Sequence, residues 1–125
     1  MTREEFQTYR VLSEKFSAYC IIIFSYIKKN YVGALNFGRY SQFSNAKCYS
    51  NDVTIEYYDS GDSYHESSLI EIPTDDFLTD PYKWVDEWAK EIIAQKEYTR
   101  KRLDEIAAQK ERDEYERLKK KFETA

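Results

Sequence analysis

The hydrophobic pattern of this chain changes period twice. Phe6, Tyr9, Phe16, Cys20, Ile23 and Ile27 recur at threes, fours and one heptad, the spacing of a helix face. Val53, Ile55 and Tyr57 then alternate with Thr54, Glu56 and Tyr58, the period of a half-buried strand. Trp84, Val85, Trp88, Ile92 and Ile93 return to helical spacing, and the apolar faces of Phe6–Ile27 and Trp84–Ile93 are expected to pack together or on one sheet face. The order is therefore helix, strands, helix, which predicts a single α+β domain: an N-terminal helix, a small antiparallel sheet of about three strands, and a long C-terminal helix. At 125 residues the chain has length for one modest core, and twelve Tyr, seven Phe and two Trp are too many for a disordered segment.

The ends of the elements carry their own signals. Thr2 and Glu5 form a T-x-x-E capping box that starts the first helix, which is expected to run to about Asn30, with Gly33 the nearest stop. The C-terminal half of that helix is apolar almost all round, which predicts burial on several sides. Phe37, Tyr40, Phe43 and Tyr49 with Gly33 and Gly38 suggest one or two short strands and turns. Asp59-Ser60-Gly61-Asp62-Ser63 reads as a turn, with Gly61 able to take positive φ, between a strand at Val53–Tyr58 and a second at Tyr64–Ile72. On the second strand Ser68, Ile70 and Ile72 share a side. A lone hairpin is marginal in water, so a third strand or a helix must cover its apolar face.

Pro73 ends the second strand, and Asp80-Pro81 reads as an N-cap followed by proline in the first helical position. The last helix should span Tyr82 to Phe122, longer than a domain of this size is wide. This divides the chain into a domain over 1–98 and a charged helical extension over 99–125. Asp86–Lys90, Glu97–Lys101, Asp113–Arg117 and Glu116–Lys120 are acid-before-base pairs at i,i+4 that support the extension locally. Leu103, Ile106, Leu118 and Phe122 could serve as a seam for self-association, although the heptad occupancy is poor.

Charge is distributed unevenly. Residues 1–50 carry seven bases and three acids, 51–80 nine acids and no base, and 81–125 twelve bases and eleven acids. The acidic middle attracts cationic surfaces and repels nucleic-acid backbone. Asp52, Glu56 and Tyr58 share the strand face opposite Val53, Ile55 and Tyr57. Glu71 faces out on the next strand, Asp59 and Asp62 project from the turn, and Tyr64 and Glu66 follow. Carboxylates in rows beside tyrosine can imitate phosphates to a protein that grips nucleic acid. Asp52, Glu56, Tyr58, Asp59, Asp62, Tyr64, Glu66 and Glu71 are thus the candidate binding residues, for a protein partner with a basic surface. The alternative is that the same residues form only a solvated acidic surface that aids solubility.

Other chemistry finds little footing. His65 is the single histidine and could pair with Cys48 as base and nucleophile, but no third orienting residue or oxyanion loop is visible. No enzyme activity and no cofactor are expected. Asp59, Asp62, Asp75 and Asp76 could offer oxygens to a cation, yet the EF-hand spacing is absent and turn-forming Asp explains them. Zinc spacings, the P-loop, the dinucleotide fingerprint and the nucleophile elbow do not occur. Arg39, Tyr40 and Phe43, with Arg100-Lys101-Arg102 and Lys119–Lys121, could contact nucleic acid, but the helical clusters are interleaved with acids. Cys20 and Cys48 read as reduced thiols. The apolar run Phe16–Ile27 falls short of the roughly 20 residues a spanning helix needs. Glu4 and Glu5 before the run and Lys28-Lys29 after it do not suit a signal peptide, so a cytoplasmic protein is expected, with no membrane role.

One resemblance bears on context. Ile72-Pro73, Phe77-Leu78, Asp80 and Trp84, followed by a Lys/Glu-rich helix ending Tyr115-Glu116-Arg117-Leu118-Lys119-Lys120-Lys121-Phe122-Glu123, resemble small uncharacterised proteins of bacteriophages. The likeness covers roughly residues 52–123. It implies an accessory phage protein in the bacterial host cytoplasm, of a kind that binds and blocks host or defence machinery. It carries no catalytic residue.

Overall fold

Thr2 closes the first helix as its spacing requires. The Glu5 N–H donates to Thr2 Oγ1 at 3.1 Å, and the Thr2 N–H to Glu5 Oε1 at 3.5 Å. Helix α1 then runs Arg3–Tyr31. The computed structural model describes residues 1–31, 41–59 and 67–123. After α1 come strands β1 (Ser41–Cys48), β2 (Asp52–Asp59) and β3 (Ser67–Pro73), a short helix α2 (Thr74–Thr79), and helix α3 (Pro81–Glu123). The class is α+β, with an antiparallel sheet in the order β1-β2-β3. The described chain falls into two units, Met1–Ala89 and Lys90–Ala125.

The sheet register follows the period-two pattern. Val53, Ile55 and Tyr57 face Ile72, Ile70 and Ser68 across β2 and β3, and all but Ser68 are buried. The third strand that the hairpin needed is β1. It reaches β2 through the three residues Tyr49-Ser50-Asn51, a turn in which the Tyr49 N–H donates to the Asp52 carbonyl at 2.9 Å. Ser44 forms a bulge in β1, where the pairing shifts between Phe43 and Asn45.

One face of the sheet is core. Cys20, Ile23, Phe24 and Ile27 of α1 are buried with Val53, Ile55, Ile70 and Ile72. The Phe24 ring lies 6.2 Å from Phe43 and 5.7 Å from Tyr57, which seats α1 on that face. Phe16 and Tyr19 flank Phe77 of α2 at 5.8 and 5.3 Å. Asp80 caps α3 through the Lys83 N–H, 3.1 Å from Asp80 Oδ1, and Pro81, Val85 and Ala89 are buried in the first unit.

Three expectations need correcting. The N-terminal turns of α1 are not packed: Phe6 is 53% exposed and Tyr9 is exposed with it, because helical spacing supplies a stripe whether or not something lies against it. The apolar half of α1 is buried on one side only, leaving Ile21 and Ile22 exposed. Trp84 and Trp88 are half-buried and stack on each other at 5.6 Å with 13° between their planes, while Val85 and Ala89 take the core positions. Helix α2 is an addition that the short Asp-rich segment after Pro73 did not announce.

The second unit is a helix held by local contacts. Arg117 pairs with Glu114 at 2.6 Å, Glu97 lies 3.8 Å from Arg100 and 4.0 Å from Lys101, and Lys119 lies 3.9 Å from Glu123. Of the anticipated pairs, Glu97–Lys101 forms, whereas Arg117 takes Glu114 and Asp113 accepts from Gln109 at 2.9 Å. Exposed pairs of this kind add a few tenths of a kcal/mol each, about what a solvated helix needs.

Candidate functional site: the outer face of the sheet

Because α1 covers one face of the sheet, the other is defined by the alternate residues. On β2 these are Asp52, Thr54, Glu56 and Tyr58, each half-buried; on β3 they are Ser67, Leu69 and Glu71, each exposed. Cross-strand pairing arranges them in rows: Lys47–Thr54–Glu71, Asn45–Glu56–Leu69 and Gln42–Tyr58–Ser67. Residues in a row stand about 5 Å apart along the sheet, and diagonal neighbours about 7–8 Å. Glu71 is therefore diagonal to both Asp52 and Glu56, and the three carboxylates surround Thr54. None of the three is ion-paired among the described residues.

Two shallow hollows lie on this face. One of about 130 Å³ is lined by Asn45, Lys47, Thr54, Glu56 and Leu69. The other, about 360 Å³, lies toward the β1–β2 connection between Asn51, Asp52, Leu69 and Glu71. Tyr49, Thr54 and Leu69 border both, and Leu69 is 56% exposed. The face thus combines acceptor oxygens with apolar surface, a composition suited to the stems and charged heads of Lys and Arg.

Among the candidate residues, Asp52, Glu56, Tyr58 and Glu71 are brought together on this face. Tyr58 is less available than expected, since it is half-buried and its hydroxyl donates to Gln42 Oε1 at 3.0 Å. Asp59 is placed as the last residue of β2, opposite Ser41. Asp62, Tyr64 and Glu66 lie outside the described residues, as do His65 and the Asp59–Ser63 turn beyond its first residue. Sequence reasoning missed Leu69, Tyr49 and Lys47. The alternation Ile70, Ile72 already put Leu69 outward, but Tyr49 and Lys47 had no position until β1 was found.

The other candidate chemistry does not assemble among the described residues. Cys48 is exposed at the end of β1 and Cys20 is buried in α1, both as free thiols. Burial, with the nearby Cys48 as a smaller cause, pushes the Cys20 thiol up to about 11. Asp75 and Asp76 are exposed on α2, and no described group of His, Cys, Asp or Glu could hold a metal ion. Phe43 packs inward on Phe24, so it is not part of an outward stacking patch, and Arg39 and Tyr40 lie outside the described residues. No described helix is long and apolar enough to cross a membrane.

A second polar cluster links α1 to α3. Tyr26 Oη donates to both oxygens of Asp86, at 2.8 and 3.0 Å, and Tyr31 Oη donates to Asp86 Oδ1 at 2.5 Å. These hydrogen bonds to the carboxylate hold the phenols protonated and push Tyr31 up to about 12, with Tyr26 raised in the same direction. Asp86 therefore serves the α1–α3 contact rather than an ion pair with Lys90.

Compared with protein-family models, curated proteins and solved structures, the chain matches none.

Proposed function

We propose that this chain is a non-enzymatic binding protein whose acidic sheet face takes a basic protein surface. The observation that carries the reading is the outer face of the sheet, where Asp52, Glu56 and Glu71 surround Thr54 beside exposed Leu69 and Tyr49. Charge there supplies attraction and orientation, and the apolar residues supply area to bury. In line with the phage resemblance, the partner is a host nucleic-acid-handling or defence protein, to which the carboxylates offer negative charge as phosphates do. Capture from bacterial lysate at low and high salt tests this. An interface built on exposed charge releases its partner as salt rises, because the screening length falls from about 10 Å at 0.1 M to ~3 Å at 1 M. A partner held equally at both salt concentrations contradicts it.

A second reading rests on the second unit, where Leu103, Ile106, Leu118 and Phe122 are all exposed along α3. They would form a seam between copies in an assembly protein. Sedimentation of the whole chain at high concentration decides this reading: a monomer throughout excludes it.

A further inference from the structure

β3 ends the sheet, and no described strand pairs with its outer edge. The Thr74 N–H donates to the Asn51 carbonyl at 3.0 Å, and the Tyr49 N–H donates to the Asp52 carbonyl. In an antiparallel ladder the hydrogen-bonded pairs alternate. Val53–Ile72, Ile55–Ile70 and Tyr57–Ser68 are therefore the bonded pairs between β2 and β3. The backbone groups of Ser67, Leu69 and Glu71 consequently point away from β2, to an edge where no described strand pairs. The same three residues carry their side chains on the outer face, so the open edge borders the acidic surface.

The two edges of the sheet differ. β1 is interrupted by the Ser44 bulge and carries Lys47, both devices that discourage strand addition. β3 is regular from Ser67 to Ile72, with proline only at its last position. Its edge is marked by Glu71, with Asp52 and Glu56 one strand away and no Lys or Arg between Cys48 and Tyr82. A second copy adding through the same edge would bring one acidic face beside another, whereas a basic strand finds complementary charge.

We infer that β3 captures an extended basic peptide segment by strand addition, with Lys or Arg at alternate positions projecting over Glu71 and the hollow beside Leu69. This rests on the acidic-face reading and specifies the partner: a segment extended over several residues and cationic on one face. Backbone pairing to Ser67, Leu69 and Glu71 supplies affinity, and the carboxylates choose the sequence.

The probe is a short synthetic peptide of alternating lysine and threonine, compared with a twin whose central backbone nitrogens are methylated. The twin keeps every charge and loses the donors for the ladder. Binding to the intact protein should weaken at least about tenfold on methylation, the worth of one to three net hydrogen bonds. On saturation the amides of Ser67, Leu69 and Glu71 should gain protection from hydrogen exchange. Leu69→Pro removes an N–H that serves no internal bond, a position where edge strands tolerate proline. It should weaken binding of the unmethylated peptide and narrow its advantage over the twin. Equal binding of the two peptides to the unmodified protein, without protection at those amides, overturns strand addition. If Glu71→Lys still weakens both peptides in that case, the acidic-face reading survives alone. If Glu56→Lys and Glu71→Lys change nothing, that reading falls as well.

Discussion

At the scale of single residues, the two thiols are told apart by where their chain segments lie. Cys20 sits on the α1 face that packs against the sheet and is held protonated by burial, while Cys48 ends an edge strand in the open. An alkylating reagent at neutral pH should label Cys48 and leave Cys20 until the protein is unfolded; equal labelling rates under native conditions would contradict this placement. The Asp86 cluster makes a prediction about alkaline pH. A phenol whose value is raised on folding adds stability that is complete below the ordinary tyrosine value of about 10. That contribution is lost as pH rises through the folded value, which for Tyr31 is about 12. Tyr26 and Tyr31 should thus ionise late, as should Tyr57, which burial raises, and Asp86→Asn should bring Tyr31 back toward its ordinary value. Resonances of the two phenol rings followed by NMR across that range report the shift. Neither residue could be singled out from sequence, because a pairing across fifty-five residues of chain has no local signature.

At the scale of elements, local signals and tertiary contacts divide the work. The capping box of α1 and the Asp80-Pro81 start of α3 were legible because caps are made by neighbours three residues apart. Strand β2 and the inward set of β3 were legible because alternation fixes the face. Strand β1 was legible only as one or two short strands without bounds or facing, since SQFSNAKC is polar and its bulge breaks the alternation. The extent of packing along α1 was also hidden: a stripe states which side would be buried, not where the partner ends. Two substitutions separate these cases. Ile55→Ala, in the central strand and fully buried, should cost about 2–5 kcal/mol in a denaturant titration. Phe6→Ala, on the uncovered turns of α1, should stay within ~0.5 kcal/mol. Trp88→Ala should fall below the ~3 kcal/mol at which losses of buried aromatics begin, because the ring is half-buried and shares its exposure with Trp84. A Phe6→Ala loss as large as that of Ile55→Ala would mean that α1 is covered from its first turn.

At the scale of the molecule, one sheet has two unlike faces. The inner face is closed by the apolar half of α1, and the outer face carries half-buried Asp52 and Glu56 beside exposed Glu71, Leu69 and Tyr49. A sheet covered on both sides would have read as continuous apolar strands, so the alternation that predicted the fold also predicted an exposed face. Its acidic character was legible in the charge count. The places of Tyr49 and of the cation Lys47 on this face were not, because both depend on the cross-strand register with β1. The binding role of this face is tested most directly by reversing its charge without touching the core. The unmodified chain and the Glu56→Lys/Glu71→Lys variant, matched for thermal stability, are compared for capture of a basic protein partner from bacterial lysate at low salt. The variant should lose the partner that the unmodified chain retains and releases at high salt. Equal capture by both would contradict an acidic sheet face as the binding surface.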